Sequence, residues 1–321
     1  MRINPVVPGA RIMGLGEHQP ATVVTNHDLA ARMDTSDEWI RSRVGIHSRR
    51  IAGPTESVVD MAAAAGGKAL AAAGLAPTDV DLVIVATCTM PSPIPHAAAQ
   101  VAARLGIPAP GAYDLNAACA GFVYGLTAAA SAVTSGAATR VLLVGAEKLS
   151  DWVDQDDRST AIIFADGAGA AVVGPAATED EIGIGPVVWG STGEKAELIQ
   201  IPDRSSFLGQ EGQAVFRWAT TALAPVAVEA CRRAGIAPRD LAAFVPHQAN
   251  LRIVEAIARK LGASDVLVAD DIVEAGNTSS ASIPLALARM AARGEVRPGD
   301  PVLLLGFGAG LTYAGQVVLC P

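Results

Sequence analysis

Three residues in this sequence combine reactive chemistry with a setting that could use it: Cys119, His247 and Asn277. Cys119 stands in Asp114-Leu-Asn-Ala-Ala-Cys-Ala-Gly-Phe122, where small neighbours let the chain turn sharply and let another molecule reach the sulfur. Residues 121–135 are Ala-rich and read as a helix closed by Gly136. A thiol at a helix start feels the positive end of the dipole, which favours thiolate, the nucleophilic form. A buried structural thiol would suit the same context. Cys88, Cys231 and Cys320 suit that second reading better, since they lie in apolar runs or at the chain end.

His247 follows the short apolar run 244–246 in Pro246-His-Gln-Ala-Asn250. Polar residues at the carboxyl end of a buried strand are where α/β sheets place their sites, although a capping or turn histidine reads equally well there. Asn277, in Ala275-Gly-Asn-Thr-Ser-Ser280, precedes an expected helix over 282–293, so an ordinary N-cap cluster is its plainest reading. The run Gly306-Phe-Gly-Ala-Gly310 leads into an apolar strand pattern over 312–319 rather than a helix. It therefore suits backbone N–H donors for an oxyanion better than a dinucleotide.

An internal repeat relates these positions. Residues 73–80 (AGLAPTDV) return as 234–241 (AGIAPRDL), 161 residues on (234 − 73), and Val141-Leu-Leu-Val-Gly145 returns in the same register as Val302-Leu-Leu-Leu-Gly306. The offset carries Ala86 to His247, Asn116 to Asn277 and Cys119 to Ser280. Two duplicated halves, 1–175 with the cysteine and 176–321 with the histidine and asparagine, would bring these corners together around a pseudo-twofold axis. Helices are expected over 57–73, 121–135, 221–234 and 282–293. Strands are expected over 82–86, 141–144, 244–245 and 302–305. That alternation gives an α/β chain, and two such halves stack as a five-layer αβαβα sandwich. Aligning Gly167-Ala-Gly169 with Gly308-Ala-Gly310 leaves about 20 extra residues, 146–165, in the first half (22 − 2 by their distances from Gly145 and Gly306). Their polar stretch Asp151–Arg158 is expected at the surface or against a partner subunit.

Composition narrows the function. With 321 residues and 50% hydrophobic side chains the chain can bury a large core. A net charge of −8 argues against general nucleic-acid binding. Four scattered cysteines offer neither a disulfide framework nor a zinc site. No targeting signal or membrane-length apolar run is read, so a cytoplasmic protein is expected.

Several motifs together resemble the β-ketoacyl-acyl carrier protein synthase III family of the thiolase fold. They are Thr35-Ser-Asp-Glu-Trp-Ile-Arg-Ser-Arg43 with Gly45-Ile46, Ala117-Ala-Cys-Ala-Gly-Phe122, Asp157-Arg158, Phe164-Ala-Asp-Gly-Ala-Gly169, Pro246-His-Gln-Ala-Asn250, Gly276-Asn-Thr-Ser279 and Gly306-Phe-Gly-Ala-Gly310. The resemblance runs from about Ala10 to Leu319. It implies a homodimeric enzyme without a cofactor or metal. Cys119 would take a primer acyl group from acyl-CoA, and His247 and Asn277 would promote loss of CO2 from malonyl-acyl carrier protein. The backbone N–H groups of Cys119 and Ala309 would form the oxyanion hole. Trp39 and Arg158 would sandwich the CoA adenine, with Arg43 and Asn250 along the tunnel or at its mouth. Phe164 and Phe307 would line the acyl pocket, as would Ile94, which stands where some members carry a Phe reaching across the dimer. Arg217, Arg252, Arg259 and Lys260 would meet the acidic carrier protein, although 259 and 260 read equally as solvated charge. Residues 202–216 look shorter than in the common bacterial enzymes, which, with the smaller Ile94, leaves the primer open. A starter-unit ketosynthase or an acyltransferase of a polyketide or other secondary-metabolite pathway, a non-catalytic thiolase-fold protein and, more remotely, a dehydrogenase are the alternatives.

Overall fold

The computed structural model describes residues 7–262 and 265–321; the first six residues of the expected N-terminal half lie outside them. Five strands, β1 (Ala10–His18), β2 (Leu82–Ala86), β3 (Gly111–Leu115), β4 (Val141–Lys148) and β5 (Asp166–Pro175), form one sheet in the order β1-β5-β4-β2-β3. Five more, β6 (Val188–Gly190), β7 (Ala243–Pro246), β8 (Leu267–Val268), β9 (Pro301–Gly308) and β10 (Thr312–Leu319), form a second in the corresponding order β6-β10-β9-β7-β8. In both, the three strands at one end are parallel and the other pairings antiparallel. The register is kept as well: Leu82 faces Val141 in the first sheet and Ala243 faces Val302 in the second, both members displaced by the repeat offset.

The helices that position the site are α1 (Asp37–Val44), α2 (Val58–Ala73), α3 (Ala97–Leu105), α4 (Gly121–Thr134), α5 (Gly212–Ala234), α6 (Leu251–Leu261) and α7 (Ser282–Ala292). Strand alternation explains their places. In β2, Ile84 points inward to a core shared with Phe122 and Leu126 of α4, Ile283 and Leu287 of α7, and Val245 and Leu304 of the second sheet. Its neighbours Val83 and Val85 point outward to Met61 and Ala65 of α2 and Val101 of α3. On the far side, Leu223 of α5 and Ile257 of α6 cover Phe244 and Leu303. The layers are α2/α3, sheet, α4/α7, sheet, α5/α6: a thiolase-like αβαβα sandwich.

Some expectations need correction. Helix α5 begins at Gly212 rather than 221, because Phe216 and Trp218 continue its packing against the second sheet's cluster. The two Gly-Ala-Gly runs are not equivalent. Gly167 and Gly169 lie within β5, opposite Glu147 and Gly145, whereas Gly308 ends β9 and Gly310 sits in the turn Ala309–Leu311. The extra first-half segment is therefore 149–165, opposite the tight turn Ala309–Leu311. Nor is it a purely surface excursion: Leu149, Val153, Ile162 and Phe164 are buried with Ile40, Val44 and Ile46.

Candidate active site

Cys119 sits in a 3-10 turn, Ala118–Ala120, leading into α4. Just before it, Ala118 takes φ +47, and Asn116 Oδ1 accepts the Ala118 N–H at 3.0 Å. The equivalent corner of the second half does the same. Ser279 takes φ +51, and Asn277 Oδ1 accepts its N–H at 2.8 Å before the turn Ser279–Ala281 and α7. Left-handed backbone at a non-glycine residue costs about 1–3 kcal/mol and persists only where the surroundings fix it. Here an Asx hydrogen bond fixes both corners, and the second has a consequence for Asn277. Because its carbonyl oxygen is committed to Ser279, its NH2 group is the end left to donate.

His247 ends the β7 corner and is 2% exposed. Its Nδ1 lies 2.7 Å from Ser282 Oγ, which also accepts the Gln248 N–H at 3.3 Å. Nε2 is thus the ring nitrogen left for the cavity. Phe307 lies edge-on to the imidazole, ring centroids 5.2 Å apart. Burial holds His247 down to about 3, so it is neutral at pH 7.

Cys119, His247 and Asn277 line one cavity of about 1000 Å3, together with Phe164, Phe307 and Ala309. Gly308 is required beside the sulfur: a Cβ there would stand 2.8 Å from Cys119 Cβ and 3.0 Å from Sγ. Asn277 is clamped to the first half. Its N–H donates to the Ile163 carbonyl, and its carbonyl accepts from the Ala165 N–H, both at 2.9 Å. The expectation of a resting thiolate does not hold. Burial pushes the Cys119 thiol up to about 12, against a lowering by the Ser279 hydroxyl, and the negative Glu147 raises it further. Loss of solvation outweighs the favourable field of the helix start.

Among the other predicted positions, Trp39, Arg43, Asn250, Arg217 and Arg252 line the same cavity. Arg158 does not; its guanidinium carbon lies over the Trp39 ring, 4.6 Å from the centroid, so the pair is in contact rather than parted. Ile94 is 78% exposed and outside this cavity. Arg259 and Lys260, in the last turn of α6, are also outside it, with Arg259 3.9 Å from Glu255. Among the described residues, no cluster of His, Cys, Asp or Glu is arranged to hold a metal ion.

Residues 113–193 match the family described as 3-oxoacyl-[acyl-carrier-protein] synthase III, and residues 231–320 match its C-terminal part. A β-ketoacyl-[acyl-carrier-protein] synthase III from Streptomyces coelicolor is 58% identical over 98% of this chain and 99% of its own. The chain belongs to the β-ketoacyl-[acyl-carrier-protein] synthase III family. It is a condensing enzyme of the acyltransferase class. The crystal structure of 3-oxoacyl-[acyl-carrier-protein] synthase III from Aquifex aeolicus superposes with a TM-score of 0.93 at 40% identity, over 97% of this chain and all of that one. That of the priming β-ketosynthase of the R1128 polyketide pathway superposes at 0.95 and 44%, over all of this chain and 98% of that one.

Sequence reasoning passed over one residue that braces the synthase site and read another, which borders it, as structural. Glu147, fully buried in β4, accepts from Thr87 Oγ1, Cys88 N, Cys88 Sγ, Thr89 Oγ1, Ser279 Oγ and Ser280 Oγ. An acid directly after the apolar run 141–146 was the available signal. Cys88, read as inert, borders the cavity beside the nucleophile because the 87–89 loop turns toward Glu147. Ser280, the repeat partner of Cys119, has its hydroxyl oxygen 2.8 Å from both that carboxylate and the Ala86 carbonyl, which share its one proton.

Proposed function

We propose that this synthase joins a primer acyl group from acyl-CoA to malonyl-acyl carrier protein, giving 3-oxoacyl-acyl carrier protein and CO2 and so initiating fatty acid synthesis. The observation carrying this is the convergence on one cavity of a thiol from one half with an imidazole and a carboxamide from the other, each held by a serine of the 279–282 segment. Cys119 gives up its S–H proton to solvent and attacks the primer thioester as thiolate, while its backbone N–H and that of Ala309 receive the oxyanion. CoA leaves as thiolate and takes a proton from solvent. Malonyl thioester then enters; Nε2–H of His247 and the NH2 of Asn277 donate to its carbonyl. Donors placed where charge develops lower the barrier to CO2 loss. The carbanion attacks the acyl carbon and expels Cys119 as thiolate, which takes back a proton from solvent. The Ser282 hydroxyl can donate to Nδ1, which keeps the proton on Nε2. No cofactor enters these steps.

On this reading Trp39 and Arg158 part to admit the adenine, Arg43 and Asn250 border the pantetheine path, and Arg217 and Arg252 meet the carrier protein. Phe164 and Phe307 face the acyl group, and Ile94 serves the partner's pocket in a homodimer. Supporting the dimer, β3 is an edge strand with Tyr113 and Ile94 exposed, a combination that invites pairing with a second copy. We also read the chain as halves 1–175 and 176–321 and as cytoplasmic; no helix among the described residues is long and apolar enough to cross a membrane.

Two variants separate the half-reactions. Cys119→Ala forms no acyl-enzyme by intact-protein mass but still releases CO2 from malonyl-acyl carrier protein. Asn277→Ala acylates normally, yet decarboxylates about 10²–10³-fold more slowly, the usual loss of one oxyanion donor. Condensation at the normal rate in Asn277→Ala would contradict its assignment. A panel of acyl-CoA primers against malonyl-acyl carrier protein, read by product mass, separates fatty-acid priming from the polyketide role carried by the R1128 relative.

A further inference from the structure

The cavity reaching Cys119 adjoins a second, smaller one. The two, about 1000 and 220 Å3, share two lining side chains, Trp152 and Arg204. Both side chains are strapped to one loop. The Trp152 indole N–H donates to the Thr89 carbonyl at 3.1 Å, and Arg204 Nη1 donates to the Pro91 carbonyl at 3.0 Å. The backbone of Trp152 is pinned as well, its carbonyl accepting the Leu208 N–H at 2.8 Å. The linings on the two sides differ in chemistry. Met90, Leu149 and Leu208 are among the mainly apolar residues of the large cavity, whereas Asp151, Ser205 and Ser206 join Pro91 and Phe207 around the small one, which is the more polar of the two. An apolar chain growing away from Cys119 therefore has a wall where its surroundings would turn from apolar to polar.

Taking the large cavity as the acyl site, the reading on which this rests, we infer that Trp152 is the end wall that sets primer length. Its ring is wide, and its single hydrogen bond fixes it across the gap between the cavities. Arg204 holds the loop that Trp152 leans on and is a positioning residue. A chain that ends short of the indole is buried in apolar surroundings; a longer one must displace the ring.

The test is acylation of Cys119 by straight-chain acyl-CoAs from acetyl to palmitoyl, followed by intact-protein mass, in wild type, Trp152→Ala and Trp152→Phe. Trp152→Ala is expected to accept chains that wild type refuses, with acylation by the first refused length rising at least about tenfold relative to acetyl, the discrimination a pocket exerts over a methylene. Trp152→Phe is expected to fall between the two. An unchanged length limit in folded Trp152→Ala overturns the inference. Should that variant not fold, an unchanged limit in Trp152→Phe overturns it. A wild type acylated by no member of the panel removes the acyl-site reading itself, a result distinct from either.

Discussion

Two titrating side chains set the resting state of the site, and burial moves them in opposite directions. It raises the Cys119 thiol to about 12 and lowers the His247 imidazole to about 3, so both are neutral near pH 7. With the Ser282 hydroxyl donating to Nδ1, as the proposed mechanism has it, a neutral imidazole is a hydrogen-bond donor at Nε2, which suits carbonyl polarisation better than storage of a proton. The pH consequence follows from linkage. Unfolded histidine titrates near 6.5 and the folded one near 3, so between these values the unfolded chain binds the extra proton. The stability belonging to neutral His247 is complete above about pH 6.5 and falls progressively as the pH drops toward 3. Urea unfolding of wild type and His247→Gln should therefore show wild type losing more stability than the variant between pH 7.5 and about 4.5. Parallel losses in the two proteins would mean that the histidine is not buried in its neutral form.

The elements hold these residues through glycines and through one carboxylate. Gly276, at φ +71, lets the Asn277 strand run against residues 163–165; a Cβ there would stand 2.8 Å from Ala165 Cβ and 2.9 Å from Arg49 Cβ. Gly276→Ala combines strained backbone with two unyielding contacts. Its expected cost is about 1–3 kcal/mol in chemical denaturation, with decarboxylation impaired more than acylation, because Asn277 moves and Cys119 does not. Equal damage to both half-reactions would show that the corner does not act through Asn277. Much of this scale was legible in the sequence. The 161-residue offset paired Asn116 with Asn277 and Cys119 with Ser280, and the structure gives both corners the same Asx turn. Glu147 was not legible, because its donors come from residues 87–89 and 279–280, which no local pattern joins to β4. The resting thiolate failed for a related reason: local sequence reports the helix start but not the solvent removed by the other half. The polar segment 151–158 concealed Trp152 for the same reason, since a run of aspartates says nothing about one indole that lines a cavity.

For the whole molecule the unresolved tension is charge. The chain carries a net charge of −8, yet its proposed carrier partner is acidic. Long-range repulsion would slow encounter unless a local field opposes it. The cavity carries groups for such a field: Arg43, Arg217 and Arg252 line it, at its mouth on the proposed reading, and Arg252 is braced over the Phe216 ring at 5.5 Å. By contrast, Arg259 is partly neutralised by Glu255, and Lys260 is drawn to the Thr220 carbonyl. The mouth arginines should therefore dominate encounter with the carrier protein. Reversing Arg217 and Arg252 together to Glu should lower kcat/KM for malonyl-acyl carrier protein by about tenfold or more at low salt, with little change for a short malonyl thioester lacking the protein. The same reversal at Arg259 and Lys260 should do much less. Because the screening length shrinks to about 8 Å at physiological salt, the wild-type advantage should narrow as salt is added. A mouth variant that loses the small thioester as severely as the carrier-bound one would place these arginines in the chemistry of the cavity rather than in the approach to it.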